Sequence, residues 1–125
     1  ENIRPDTPEV DLIEMMDGTV CNLLLCGHTH LPCDRMVSGQ RIVNVGSVGL
    51  PFDGDSRASY VLVELASEGK YQVEFRRVSY DIEAVVRQLK AFNHPTTSIT
   101  AYNLREARPL GQKLIYTRQM RKDIC

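Results

Sequence analysis

Leu23-Leu24-Leu25-Cys26-Gly27-His28-Thr29-His30 is the stretch that decides how the rest of this chain is read. Asn22 to Cys26 is a short, essentially continuous apolar run, the pattern of a strand covered on both faces. Behind it stand two histidines, two residues apart. Side chains alternate along an extended backbone, so an extended segment here would turn both imidazoles toward one point. Gly27 carries no Cβ and permits a sharp turn and a close approach to a ligand. Open α/β sheets place ligands at the carboxyl ends of their strands, and neutral imidazole is the commonest metal-binding side chain. The expectation is that His28 and His30 share a polar pocket at the end of this strand. The plainer reading is a pair of loop histidines with ordinary hydrogen bonds. A structural zinc site built from Cys26, His28, His30 and Cys33 is disfavoured, because the paired zinc-ligand spacing is missing and Cys26 should face into the sheet.

Outward from this stretch the pattern is mixed α and β. Before it, Thr7-Pro8-Glu9 opens a helix, with Thr7 as N-cap, Pro8 in the first turn and acidic residues early. Val10, Ile13 and Met16 fit the helical period with Leu12 beside them, and Asp17-Gly18 ends the run. After it, Arg35 to Val37 and Arg41 to Val45 read as strands joined through Ser38-Gly39-Gln40. A glycine-rich stretch, Val45 to Pro51, leads to a polar turn at Asp53-Gly54-Asp55 that reads as solvated. Ser59 to Leu65 is a strand and Ser67 to Lys70 a turn. Tyr71, Val73 and Phe75 alternate with polar residues, as in a half-buried strand. Asp81 caps a second helix whose apolar face is Ile82, Val85, Val86, Leu89 and Phe92. It stops at Asn93-His94-Pro95, and Thr96 to Arg108 is a further helix.

The chain has 125 residues, 42% hydrophobic and 25% charged, which suits one globular domain or a piece of one and is too apolar for disorder. The net charge of -1 favours neither nucleic acid nor an acidic membrane surface. No apolar run is long enough to span a bilayer. Charge is uneven: Glu1 to Asp17 carries six acidic residues and one basic, whereas Leu104 to Cys125 carries six basic and two acidic. A basic tail of this kind is read as a solvated end or as a contact to an acidic surface of the same protein. Cys21, Cys26, Cys33 and Cys125 lack the spacing of a secreted disulfide framework, so unpaired thiols and a cytoplasmic setting are expected.

Two segments together carry a family resemblance. Leu23 to Pro32, with its Gly27-His28-Thr29-His30, is followed by Ile42-Val43-Asn44-Val45-Gly46-Ser47-Val48-Gly49-Leu50-Pro51. The pair resembles the calcineurin-like metallophosphoesterases, most of all their small bacterial and archaeal phosphodiesterase-type members. The resemblance runs over roughly residues 7 to 92. It implies an α/β fold, the C-terminal half of a metallophosphoesterase β-sandwich flanked by helices: residues 1–80 as that portion, with its strand meander, and 81–125 as a helical extension. It implies that His28 and His30 each ligate one of two divalent ions, Mn, Fe or Zn, which make water a nucleophile for attack on phosphorus. The substrate would be a phosphate ester, a phosphodiester first. Asn44, Gly46 and Ser47 read as a tight turn beside the site. Ser47 is also a candidate phosphate contact, and Arg57 either meets phosphate or pairs with Asp55.

The family's D-x-H, G-D-x-x-D, G-N-H and H-G motifs, which should precede the Gly27–His30 motif, are not found before Cys26. Gly54-Asp55 and Asn93-His94 lie on the wrong side of it, and His94 reads as a helix-terminus residue. The expectation is therefore an enzyme when intact, with this chain alone inactive and associating with a missing N-terminal half or with itself. The alternative is a non-catalytic scaffold of the same fold that makes protein contacts.

Overall fold

The computed structural model describes residues 2–112. Three helices and two small sheets follow in the order α1 (Glu9–Met15), β1 (Leu23–Cys26), β2 (Cys33–Val37), β3 (Gln40–Asn44), β4 (Ala58–Leu65), a 3₁₀ turn (Ser67–Gly69), β5 (Tyr71–Val78), α2 (Ile82–Ala91) and α3 (Thr97–Glu106). The mixed α/β class expected from the sequence is the one observed. Most of the basic tail and Cys125 lie outside the described residues.

The first sheet has the order β1-β3-β2. β1 runs parallel to β3, with Cys26 beside Asn44, and β2 runs antiparallel to β3, with Cys33 beside the same Asn44. Ser38 and Gly39, at φ 49 and 78, make the two-residue turn between β2 and β3. Positive φ at both central positions matches the right-handed twist of a hairpin. α1 lies on one face of this sheet, and Leu12, Met16, Val37 and Ile42 form the core between them, joined by Leu24 and Cys26.

Three expectations at this end are corrected. The N-cap of α1 is Pro8, not Thr7; the Thr7 hydroxyl turns back to accept from the Arg4 amide at 2.9 Å and is spent on that turn. The buried face of α1 is Leu12 and Met16, whereas Val10 and Ile13 are 69% and 47% exposed. Several residues of so short a helix are apolar, so its phase is set by what it packs on, not by its own pattern. β1 is not covered on both faces: Leu25 is 47% exposed, because α1 takes only the face of Leu24 and Cys26.

The second sheet is the β4–β5 hairpin, paired from Ala58 with Val78 to Leu65 with Tyr71. Its strand β5 alternates partly buried and exposed positions throughout, as the sequence pattern expects. Contacts between the sheets include the Tyr71 hydroxyl, which donates to Asn22 O at 2.8 Å, and the Arg41 guanidinium, which lies over the Tyr71 ring at 6.0 Å. α2 begins where Asp81 accepts from the Ala84 amide at 2.9 Å. It packs on α3 through Val86, Ala101 and Leu104, with Leu50, Tyr80, Ile82, Val85 and Leu89 around them. Phe92, expected on that face, is 81% exposed, because the helix has already ended and Phe92 is its C-cap.

Candidate functional site

The two motifs are cross-braced against each other at the carboxyl end of β1. The Val45 amide donates to Cys26 O at 3.0 Å and the Phe52 amide to His30 O at 3.0 Å, so residues 45–52 grip both ends of the histidine loop. At their centre is Asn44, fully buried. Its Nδ2 lies within 3.0 Å of Ile3 O, 3.1 Å of Gly27 O and 2.9 Å of Thr29 Oγ1, while its Oδ1 accepts from the Gly46 amide at 3.0 Å. One side chain thus ties the N-terminal segment, the histidine loop and the following turn. Gly46 is at φ 78, and a Cβ there would stand 2.8 Å from Ser59 Oγ and 3.3 Å from Pro32 Cβ. Ser59 cannot yield easily, because its hydroxyl donates to Val45 O at 2.9 Å and its amide to Ser47 O at 3.0 Å. The tight turn expected at Asn44, Gly46 and Ser47 is therefore what holds the loop.

The histidine loop is not extended, and the alternation argument for its imidazoles is corrected. His28 and His30 stand at φ 73 and 59. The Thr29 amide donates to Gly27 O at 2.9 Å, closing a three-residue γ-turn on His28 in its positive-φ, strained form. Non-glycine residues hold such conformations only where the surroundings impose them, and they gather at functional sites. Here the imposing contacts are the bonds from residues 44–52.

His28 is exposed and His30 half-buried. The His30 ring lies against Phe52, centroids 4.8 Å apart, and its Nδ1 is 2.7 Å from Leu50 O. A carbonyl oxygen only accepts, so in the neutral imidazole this contact calls for the proton on Nδ1 and leaves the lone pair on Nε2. That is the ligand-ready arrangement of an imidazole whose other nitrogen is fixed by a carbonyl. The donor chemistry therefore fits a divalent metal through His30, with His28 beside it in the loop. Among the described residues, no three His, Cys, Asp or Glu side chains gather as a metal site. Cys26 is turned to the α1 core, and burial, followed by the nearby Cys33, pushes its thiol up to about 11. Cys33 is raised as well, chiefly by burial. Neither is poised as a thiolate ligand. Cys21, Cys26 and Cys33 are unpaired; the latter two flank β3 from opposite sides, about 10 Å apart at two strand spacings, beyond disulfide reach.

Ser47 Oγ accepts from the Leu50 amide at 3.0 Å. Arg57 forks onto Asp55, with Nη2 to Oδ2 at 2.7 Å and Nε to Oδ1 at 3.0 Å. The hydrogen bond from Arg57 holds the Asp55 carboxyl below its usual range. The turn itself is not simply solvated: Asp53 is 3% exposed and ion-paired with Arg77, which also donates to Arg57 O at 3.2 Å. This tie links β5 to the segment before β4, and no local spacing signals it. His94 is a helix-terminus residue, as expected, with its Nδ1 3.1 Å from Thr96 Oγ1.

An uncharacterized protein of Methanocaldococcus jannaschii, MJ0912, is 29% identical over 83 residues, a match covering 54% of this chain and 33% of that protein. The crystal structure of the hypothetical protein PH1004 from Pyrococcus horikoshii superposes with a TM-score of 0.66 at 26% identity, covering 90% of this chain and 42% of that one. The chain thus spans a third to two-fifths of the length of these relatives. Residues 4–68, just over half the chain and including both braced motifs, match the calcineurin-like phosphoesterase superfamily domain, a fold of metal-dependent phosphoester hydrolases, and the chain belongs to that family.

Proposed function

We propose that the protein of which this chain forms a part hydrolyses phosphate esters, phosphodiesters first, at a two-metal centre to which this chain contributes His28 and His30. The observation that supports this most is the strained, cross-braced loop that carries both histidines at the end of β1, in a chain of the phosphoesterase family. Divalent ions, Mn, Fe or Zn, would supply Lewis acidity that makes water nucleophilic near neutral pH and offsets charge on the phosphoryl oxygens. The chain's own part is to hold the imidazoles. Asn44 fixes the loop, and Leu50 O keeps the His30 proton on Nδ1. Ser47 and Arg57 are the proposed phosphate contacts. A serine oxygen that accepts one bond can still donate its own proton. Arg57 would meet phosphate in competition with Asp55.

Two imidazoles fall short of the ligands that two ions need, so the remaining ligands and the cover for β1 would come from an N-terminal half of the domain or from association of copies. Residues 1–80 would belong to the catalytic domain and 81–125 would extend it. The unpaired thiols suit a cytoplasmic setting. Hydrolysis of bis-p-nitrophenyl phosphate with added manganese tests the proposal. A longer protein containing this segment should turn over and lose activity on His28→Ala or His30→Ala. Full retention of activity in both variants would overturn the assignment, and metal binding without any turnover would favour a non-catalytic scaffold.

A further inference from the structure

Ser47 has a second role that its place beside the loop does not announce. Its Oγ accepts from the Leu50 amide at 3.0 Å, and the carbonyl of the same Leu50 lies 2.7 Å from His30 Nδ1. The Leu50 residue is thus clasped at its amide by Ser47 and engaged at its carbonyl by the imidazole. Its side chain is packed against the α2–α3 core. The Phe52 amide returns a bond to His30 O at 3.0 Å, so ring and backbone of His30 are both read by the same short segment.

We propose that Ser47 is a positioning residue for His30: by holding the Leu50 amide it steadies the residue whose carbonyl fixes the imidazole as the Nδ1–H tautomer, with Nε2 presented to a divalent ion. This rests on the reading of His30 as a metal ligand, but its first half concerns the imidazole alone. An unrestrained imidazole can exchange its proton between the two nitrogens, whereas a fixed carbonyl acceptor selects one. The hydroxyl matters as an acceptor, so threonine should replace it and alanine should not. The Leu50 amide lies in the peptide plane before the one that carries its carbonyl, so Ser47 acts on the carbonyl direction through the Leu50 backbone, which the following Pro51 also restricts.

The experiment is imidazole ¹⁵N NMR on the 125-residue chain, first without metal and then with added Mn²⁺. The wild-type chain and Ser47→Thr should show His30 as the Nδ1–H tautomer, and Ser47→Ala should shift it toward Nε2–H. Mn²⁺ binding at His30, read as line broadening, should weaken about 10-fold in Ser47→Ala and recover in Ser47→Thr, as for loss of other groups that orient a ligand. The backbone amide spectrum reports whether Ser47→Ala folds. If it does not, the wild-type tautomer and the Ser47→Thr variant decide. A wild-type His30 protonated on Nε2, or a folded Ser47→Ala with unchanged tautomer, would overturn the proposal. An Nδ1–H tautomer that depends on Ser47 but shows no Mn²⁺ broadening would refute the metal half and leave the reading of the imidazole standing.

Discussion

Gly46 shows how narrowly the site is built. Its φ of 78 suits glycine, and a Cβ would meet Ser59 Oγ at 2.8 Å. Gly46→Ala should destabilise the chain by roughly 2 kcal/mol, from left-handed strain plus the clash, as measured by urea unfolding. Asn44→Ala should cost about 3 kcal/mol, since buried partners in three segments lose a bond together. The buried thiols give a second check. With burial raising Cys26 to about 11, its thiolate fraction at pH 8 falls about 100-fold below that of a free thiol. In the folded chain Cys26 and Cys33 should alkylate far more slowly than after denaturation, when all four thiols should react; mass spectrometry reads both. The sign follows from linkage: folding raises these pKa values, so their contribution is complete below the unfolded value and is lost as pH climbs toward the folded one. For Cys26 that window runs from 9.0 to about 11. At this scale the place of the two histidines just after β1 was legible, but their backbone was not. Positive φ at His28 and His30 is imposed by Asn44, Val45 and Phe52, residues distant in sequence.

Among the elements, the strands were legible because alternation and turn residues agree. Tyr71, Val73 and Phe75 are partly buried between exposed neighbours, and Ser38-Gly39 supplies the hairpin its two positive φ values. The short first helix was not, since its seven residues hold apolar side chains on more than one face and tertiary packing selects Leu12 and Met16. The Asp53–Arg77 pair was equally hidden, because its partners are separated by a whole strand. With both side chains largely buried, removing one costs the other a charged partner. Arg77→Leu should therefore destabilise by about 3 kcal/mol and loosen the Asp53–Arg57 turn, whereas replacing both partners with apolar residues should recover much of the loss. A double-mutant cycle by chemical denaturation measures the difference.

For the whole molecule, the sheet ends at β1 among the described residues, with Leu25 exposed on the face away from α1. An unpaired, partly apolar edge invites association, so the isolated chain should form concentration-dependent oligomers in light scattering while hydrolysing bis-p-nitrophenyl phosphate poorly. The family was legible from two segments, residues 23–32 and 42–51, which the fold joins into one braced loop. The Asn44 hub that does the bracing emerges only from the fold. The central claim is that His28 and His30 are metal ligands, and the composition allows a clean test, since the chain holds three histidines. Mn²⁺ titrated into the ¹⁵N-labelled chain should broaden the imidazole signals of His28 and His30 at concentrations that leave His94 sharp, and His28→Ala should weaken the effect at His30. Equal broadening of all three, or sharp signals from His28 and His30 throughout, would contradict the account.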